Sequence, residues 1–367
     1  MRKAVFALLL LVTHLLAIGS TDPTPLPIGS RTIDFSLPAT DGKTYSLKDF
    51  DSYKILVIIF TCNHCPTAQA YEERIKQLVT DYKSKSVAVV AINPNDPESV
   101  TLGEMGYTDV GDSFEEMKIR AKDRDFNFPY LSDGETSELS MKYGPQATPH
   151  VFIFDSGRIL RYSGRIDDGE KPGTATTHDT RNAIEALLAG KPVPVEKTKT
   201  FGCSIKWPEK EGYVAAEQAK YAKEKVTIAE IDADQLKELL KGDGVNHRLI
   251  NVWATWCGPC VTEFPSFVDM HRMYRNREFE LISISLDEPD RKQNALNFLV
   301  KKQASMKNYI FKGNRYDFIE AIDKNWQGAL PYTLFLGPDG KKIYSRQGII
   351  DPLLMKKTIA DAIGRIY

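Results

Sequence analysis

Cysteine is scarce in this chain: five in 367 residues, Cys62, Cys65, Cys203, Cys257 and Cys260. That density is too low for a disulfide scaffold, so cores of ordinary size must carry the stability and the cysteines are free for chemistry. Net charge is lacking too. Forty-eight Lys and Arg face 49 Asp and Glu, a formal −1, which gives no electrostatic reason to expect a nucleic-acid or anionic-membrane partner. Long apolar runs are missing except at the start. Residues 4–18 are interrupted only by Thr13 and His14, and the stretch is shorter than the roughly 20 residues that span a bilayer. No cysteine follows it, which excludes a lipoprotein acylation site.

What that start does contain is a basic head, Arg2 and Lys3, and small residues in Ala17-Ile18-Gly19 placed for signal peptidase. Residues 1–19 read as a cleaved signal peptide, with an uncleaved anchor as the alternative. The mature chain is then periplasmic or secreted, with no stable membrane insertion, in a compartment where disulfides persist. The remainder, 42% hydrophobic and 26% charged, is ordinary globular material with room for two or three domains.

Four of the five cysteines form two Cys-x-x-Cys motifs, Cys62-Asn63-His64-Cys65 and Cys257-Gly258-Pro259-Cys260. Each follows an apolar run, Ile55-Leu56-Val57-Ile58-Ile59-Phe60 and Leu249-Ile250-Asn251-Val252-Trp253, and each sits where a strand should turn into a helix. The helix aims free N–H groups and its positive dipole end at the sulfur, favouring the reactive thiolate.

The downstream partners also repeat. Ala147-Thr148-Pro149-His150-Val151-Phe152-Ile153-Phe154 and Ala329-Leu330-Pro331-Tyr332-Thr333-Leu334-Phe335-Leu336 each put a proline at the mouth of an apolar strand. Each strand then meets a glycine turn and a second strand, a hairpin pattern. Two copies of one domain follow: residues 25–194 and 226–367, with a Pro- and Lys-rich linker and a helix over 195–225. Copy one opens with a hairpin around Asp41-Gly42. It also carries an insert with a short helix from Phe114, whose Ser113 and Glu116 have capping-box spacing.

Strand, motif helix, strand, hairpin and helix make an α/β fold, a mixed sheet flanked by helices. Both copies resemble thioredoxin folds in tandem. Copy two is similar to the TlpA and ResA kind of periplasmic reductase through Trp253-Ala254-Thr255-Trp256-Cys257-Gly258-Pro259-Cys260-Val261-Thr262-Glu263-Phe264-Pro265. Copy one resembles the redoxin (AhpC/TSA-like) family through Asp34-Phe35-Ser36-Leu37-Pro38, Phe60-Thr61-Cys62-Asn63-His64-Cys65-Pro66 and Ala147-Thr148-Pro149-His150.

In copy two, Cys257 is the expected nucleophile and Cys260, one helical turn on, the resolving thiol. The alternatives are a structural disulfide or a zinc half-site, though no second ligand pair lies nearby in sequence. Trp256 should shield the dithiol or serve as an ordinary aromatic. Glu263 shares a helix face with Cys260. The ResA resemblance implies that it relays a proton, the alternative being a solvated carboxylate. Where thioredoxin has a buried aspartate this chain has Asn251, an amide that cannot relay a proton. The resemblance also implies a cis Pro331 against the dithiol, with the Leu330 backbone pairing an incoming peptide strand.

In copy one, Cys62 is the expected nucleophile and Cys65 the resolving thiol. Thr148 and Pro149 should face them, and Leu56 is taken as the counterpart of Asn251. His64, if protonated, lowers a neighbouring cysteine pKa and raises the reduction potential, as resemblance to the oxidising protein DsbA implies; otherwise it is simply exposed. His150 could join Cys62, Cys65 and His64 as a soft metal site, or be a satisfied strand histidine. Cys203 is either an inert buried thiol or a third redox cysteine exchanging with Cys62 or Cys257.

The expected function is thiol–disulfide exchange with thiol- or disulfide-bearing proteins and an upstream redox partner, with no cofactor and no metal. One alternative is a thiol peroxidase. The peroxiredoxin pattern of Pro and Thr or Ser ahead of the reactive cysteine is unmet, since Ile55 and Ile59 precede Cys62, and Ile58 and Cys62 precede Cys65. The other alternative is a metallochaperone or metal-binding module built on copy one. A further expectation is that electrons pass between the copies across the linker.

Overall fold

The computed structural model describes residues 23–208 and 211–366. The signal-peptide expectation, residues 1–19, lies outside them. The first module runs β1 (Ser36–Pro38), β2 (Thr44–Ser46), β3 (Ile55–Phe60), α1 (Pro66–Tyr82), β4 (Val87–Asn93), α2 (Phe114–Asp123), β5 (Tyr130–Ser132), α3 (Glu138–Tyr143), β6 (His150–Phe154), β7 (Leu160–Gly164) and α4 (Asp179–Leu188). After α5 (Glu211–Tyr221) the second module runs β8 (Ala229–Ile231), α6 (Ala233–Leu240), β9 (His247–Trp253), α7 (Gly258–Tyr274), β10 (Phe279–Ser285) and α8 (Lys292–Lys301). It ends with β11 (Lys307–Phe311), α9 (Arg315–Ile322), β12 (Tyr332–Leu336), β13 (Lys342–Gln347) and α10 (Pro352–Ile363).

The sheet orders are β5-β4-β3-β6-β7 and β13-β12-β9-β10-β11-β8. Reversing the second matches the first strand for strand, with β8 added at one edge. In both, the motif strand is central, parallel to one neighbour and antiparallel to the hairpin strand on its other side. A central strand covered on both faces needs apolar residues at every position, and all six residues of β3 are buried. Ile55, Val57 and Ile59 enter one core with α1 and α4, while Leu56, Ile58 and Phe60 enter the other with α3 and the N-terminal segment. Each such side chain contributes about 1.5–3 kcal/mol on burial.

The helix ends follow local chemistry. Ser113 and Glu116 close the expected capping box on α2. Pro66 stands at the first position of α1, where its missing N–H costs nothing, so Cys65 becomes the cap. In α7 the cap is Cys257, and the helix continues through Pro265 to Tyr274.

The stretch expected to be a linker is not free chain. Ser163 N–H donates to Glu196 O (2.9 Å), Thr148 N–H donates to Cys203 O (3.1 Å), and Ile205 and Trp207 are buried. Three apolar side chains in residues 201–207 and the need to pair backbone polar groups pull the segment onto the first module. The two modules meet through the insert between β4 and α2. Met105 lies in the second module's core, Tyr274 Oη donates to Thr108 O (2.7 Å), and Arg277 donates to Gly106 O (2.8 Å). Among the described residues no helix is long and apolar enough to cross a membrane.

Candidate functional site

In the second module, Cys257 and Cys260 are joined by a disulfide at the start of α7. Cys257 caps the helix, its sulfur accepting from Cys260 N–H (3.3 Å). The Leu330–Pro331 bond is cis, as expected from resemblance. Trp256, just before the motif, is 56% exposed, with the Arg315 guanidinium 5.4 Å above its ring. Glu263 is not a solvated carboxylate. It is buried, and it accepts from Ile350 N–H (3.0 Å) and from Asn251 Nδ2 (3.4 Å). Burial outweighs these bonds and pushes its pKa up to about 7.

The first module corrects the reading of its motif. Phe60 pairs with His150, the residue after Pro149, and Val252 pairs with Tyr332, the residue after Pro331. Counted from those matched positions, Cys65 falls on Cys257, Ala68 on Cys260, His64 on Trp256 and Cys62 on Ala254. Ile59, not Leu56, is the counterpart of Asn251. The two Cys-x-x-Cys motifs are therefore offset by three residues. Cys65, expected as the resolving thiol, holds the helix-capping place, its sulfur accepting from Ala68 N–H (3.4 Å). Cys62, expected as the nucleophile, lies in the loop before the helix.

Charge follows the same order. Burial opposes ionisation of Cys65, but hydrogen bonds from the Cys203 and Cys62 thiols, the His64 charge and the Ala68 N–H together hold its pKa well below the ordinary thiol value. Cys62 is driven the other way by burial, its hydrogen bond to Cys65 and the Asp112 carboxylate. Its sulfur lies 3.1 Å from Thr148 Oγ1. The Thr148–Pro149 bond is cis, and Cys65 Sγ lies 3.5 Å from Thr148 O.

His64 is not exposed. It is 2% exposed, and Nδ1 stands 2.6 Å from Asp112 Oδ2. Burial opposes its charge, yet Asp112 raises the net pKa, and His64 lowers that of Asp112 in return against the effect of burial. Asp112 also accepts from Asn63 N–H (2.7 Å) and Asn95 Nδ2 (2.7 Å). It arrives from the insert, distant in sequence, and no local pattern marks it.

His150 does not join the cysteines. It accepts from Gln146 N–H (3.0 Å) at Nδ1, and its Nε2 lies 3.0 Å from Ser163 Oγ. Burial pushes its pKa down to about 3, so it is a satisfied neutral strand histidine. Strand alternation aims it away from the dithiol. Donor atoms of Cys62, His64 and Asp112 do lie within 4.8 Å of one another. His64 Nδ1 and Asp112 Oδ2 are paired with each other, while His64 Nε2 is buried without a hydrogen-bond partner among the described residues.

A sheet whose central strand delivers a cysteine to a helix tip beside a cis-proline loop, present twice, defines a tandem thioredoxin-like protein. The chain belongs to the AhpC/TSA family, whose model matches residues 28–163 and 217–345, once in each module. It is similar to the thiol-disulfide oxidoreductase ResA of Bacillus thuringiensis (strain Al Hakam), 32% identical over 127 residues, covering 32% of this chain and 62% of that protein. ResA of Bacillus subtilis (strain 168) is 28% identical over 104 residues, covering 28% of this chain and 52% of that protein. The chain thus spans less than two thirds of the length of these relatives. Among solved structures, an uncharacterized conserved protein from Geobacillus kaustophilus is 39% identical, with 49% of this chain and 92% of that chain covered and a TM-score of 0.44.

Proposed function

We propose that this chain is an extracytoplasmic thiol–disulfide oxidoreductase that acts on thiol- or disulfide-bearing proteins through two exchange sites. Its working parts are a signal peptide over 1–19 and domains over 25–194 and 226–367, joined by the segment 195–225. The observation that carries the reading is the Cys257–Cys260 disulfide at the N-terminus of α7, beside the Leu330–Pro331 loop.

At the second site a reduced Cys257 attacks one sulfur of a client disulfide. One client thiolate leaves and a mixed disulfide remains. Cys260 then attacks Cys257 Sγ, releasing the second client thiol and closing Cys257–Cys260. Two electrons pass to the client, and run backwards the same steps oxidise a client dithiol. Glu263, poised near neutral pH one turn beyond Cys260, takes or returns the Cys260 proton. Trp256 covers one side of the dithiol and Leu330 offers backbone to the client chain. At the first site Cys65 takes the attacking role, supported by His64, Asp112, Thr148 and Pro149. Replacing Cys260 with Ser and trapping mixed disulfides in the native compartment tests the reading. Captured client proteins bonded to Cys257 are expected, and a failure to trade with any dithiol or disulfide would overturn it.

The thiol peroxidase reading keeps one observation in its favour, a thiolate-favouring Cys65 at a helix N-terminus. Peroxide consumption by the reduced protein distinguishes it.

A further inference from the structure

Position by position, the first module has no thiol where the second has Cys260: Ala68 stands there. Cys65 is completely buried, and two other thiols touch it, those of Cys62 and Cys203. They differ in how they arrive. Cys62 is fixed in the buried loop against Thr148 Oγ1. Cys203 comes on a separate extended segment and is half-buried. That segment forms an isolated antiparallel bridge with Thr148, the residue before cis-Pro149, through Thr148 N–H to Cys203 O at 3.1 Å.

This is an edge of backbone to which an incoming peptide would pair, and here the chain's own segment pairs with it. The approach needs glycine. Gly202 has φ +141°, and a Cβ on it would lie 2.0 Å from Thr148 O. Beyond Cys203 the segment is anchored. Lys206 N–H donates to Asn95 Oδ1 (2.9 Å), Asp96 N–H donates to Lys206 O (2.8 Å), and Lys206 Nζ pairs with Glu104. Asn95 in turn donates to Asp112, so the anchor and the His64–Asp112 pair share a partner.

We propose that Cys203 is the resolving thiol of the first site, forming a disulfide with Cys65, and that residues 201–206 are a tethered occupant of the client position. This rests on the reading of the first site as an exchange centre. The segment lifts to admit a client disulfide. Cys65 attacks it, one client thiolate leaves, and a mixed disulfide forms. When the segment re-docks, the Cys203 thiol gives up its proton and attacks Cys65 Sγ. The second client thiolate leaves, and the Cys65–Cys203 bond closes over the site. The client disulfide has gained two electrons and the Cys65/Cys203 pair has lost them. A protein dithiol regenerates the site. One of its thiolates attacks the more accessible Cys203 sulfur and expels Cys65 as thiolate. Its second thiol then attacks its own first sulfur in that mixed disulfide, closing the dithiol's disulfide and releasing Cys203 as thiolate.

The test uses the full-length reduced protein, oxidised across a graded glutathione redox buffer, blocked with N-ethylmaleimide and digested with trypsin. A reduction-sensitive product joining residues 55–74 to 200–206 is expected. It should persist in Cys62→Ser and vanish in Cys65→Ser. In Cys203→Ser the glutathione adduct on Cys65 should last at least about tenfold longer, since its resolving thiol is gone. If the wild-type protein closes only a bond within 55–74 while Cys203 stays alkylatable throughout, the proposal is overturned and the exchange reading stands. If Cys65 stays alkylatable at every potential while Cys257 and Cys260 oxidise, both the proposal and the exchange reading of the first site fall.

Discussion

His64 Nδ1 and Asp112 Oδ2 stand 2.6 Å apart, with both side chains removed from water. A buried pair of this kind is costly to break, because the surviving charge has no solvent to fall back on. Asp112 also holds Asn63 N–H and Asn95, so it ties the insert to the loop that carries both cysteines.

Asp112→Ala should destabilise the protein by about 3–5 kcal/mol, read by urea denaturation at pH 6. The pH dependence has two limbs. His64 is raised above 6.5, so its contribution is full below pH 6.5 and is lost as pH rises through the raised value. Asp112 is lowered below 3.8, so its contribution is full above pH 3.8 and is lost as pH falls through the lowered value. A variant whose deficit does not shrink outside that window would show that the pair is not ionised.

Glu263 titrates near pH 7 in the fold against an ordinary 4.5. Between those values the unfolded chain loses the proton and the folded chain keeps it, so stability falls as pH rises from 4.5 to 7. Glu263→Gln should match the wild type in thermal midpoint at pH 5 and exceed it at pH 8. The rate of exchange at Cys257 and Cys260 should show an inflection near pH 7 that the variant lacks. An inflection retained in Glu263→Gln would remove Glu263 from the proton path.

Met105 comes from the first module's insert and lies in the second module's core, 8% exposed. Met105→Ala should cost about 2–5 kcal/mol. Because the same insert carries Asp112, loosening it should also expose residues 94–112 to limited proteolysis and slow thiol exchange at the first site. Unchanged proteolysis would mean that the modules do not brace each other through this segment.

Much of the fold was readable from local pattern. The apolar runs, the glycine turns and the Ser113–Glu116 box gave strands, hairpins and a helix start close to those observed. The second site was readable because its Cys-Gly-Pro-Cys spacing and its helix start agree. The first was misaligned because equal spacing invited matching first cysteine to first cysteine. Pro66 was the signal that could have prevented this: a proline at the first helical position makes Cys65 the cap. Asp112 reaches the site through long-range docking that nothing in its neighbours announces, whereas the bulky neighbours of Cys203 do indicate that it packs against a domain, without saying which sulfur it meets. The linker reading failed for the same reason. Pro and Lys describe residues 191–210 by composition, while Phe201, Ile205 and Trp207 decide where they go.

The reassignment of Cys65 gives the last prediction, and it can be read without any reagent reaching the buried sulfur. A thiolate absorbs near 240 nm and a thiol does not, so the ultraviolet spectrum reports ionisation directly. In a Cys257→Ser/Cys260→Ser background, the reduced protein should keep one thiolate's absorbance at pH values where ordinary cysteines are protonated, because Cys65 is held well below the usual thiol range. Cys62→Ser should retain most of that signal, since Cys62 is pushed in the opposite direction. Cys65→Ser should abolish it, and His64→Asn should move its onset to higher pH by removing a neighbouring positive charge. The reverse pattern, signal lost with Cys62 and kept without Cys65, would return the nucleophile's role to Cys62. It would also mean that the helix-capping place does not decide which sulfur of the pair ionises.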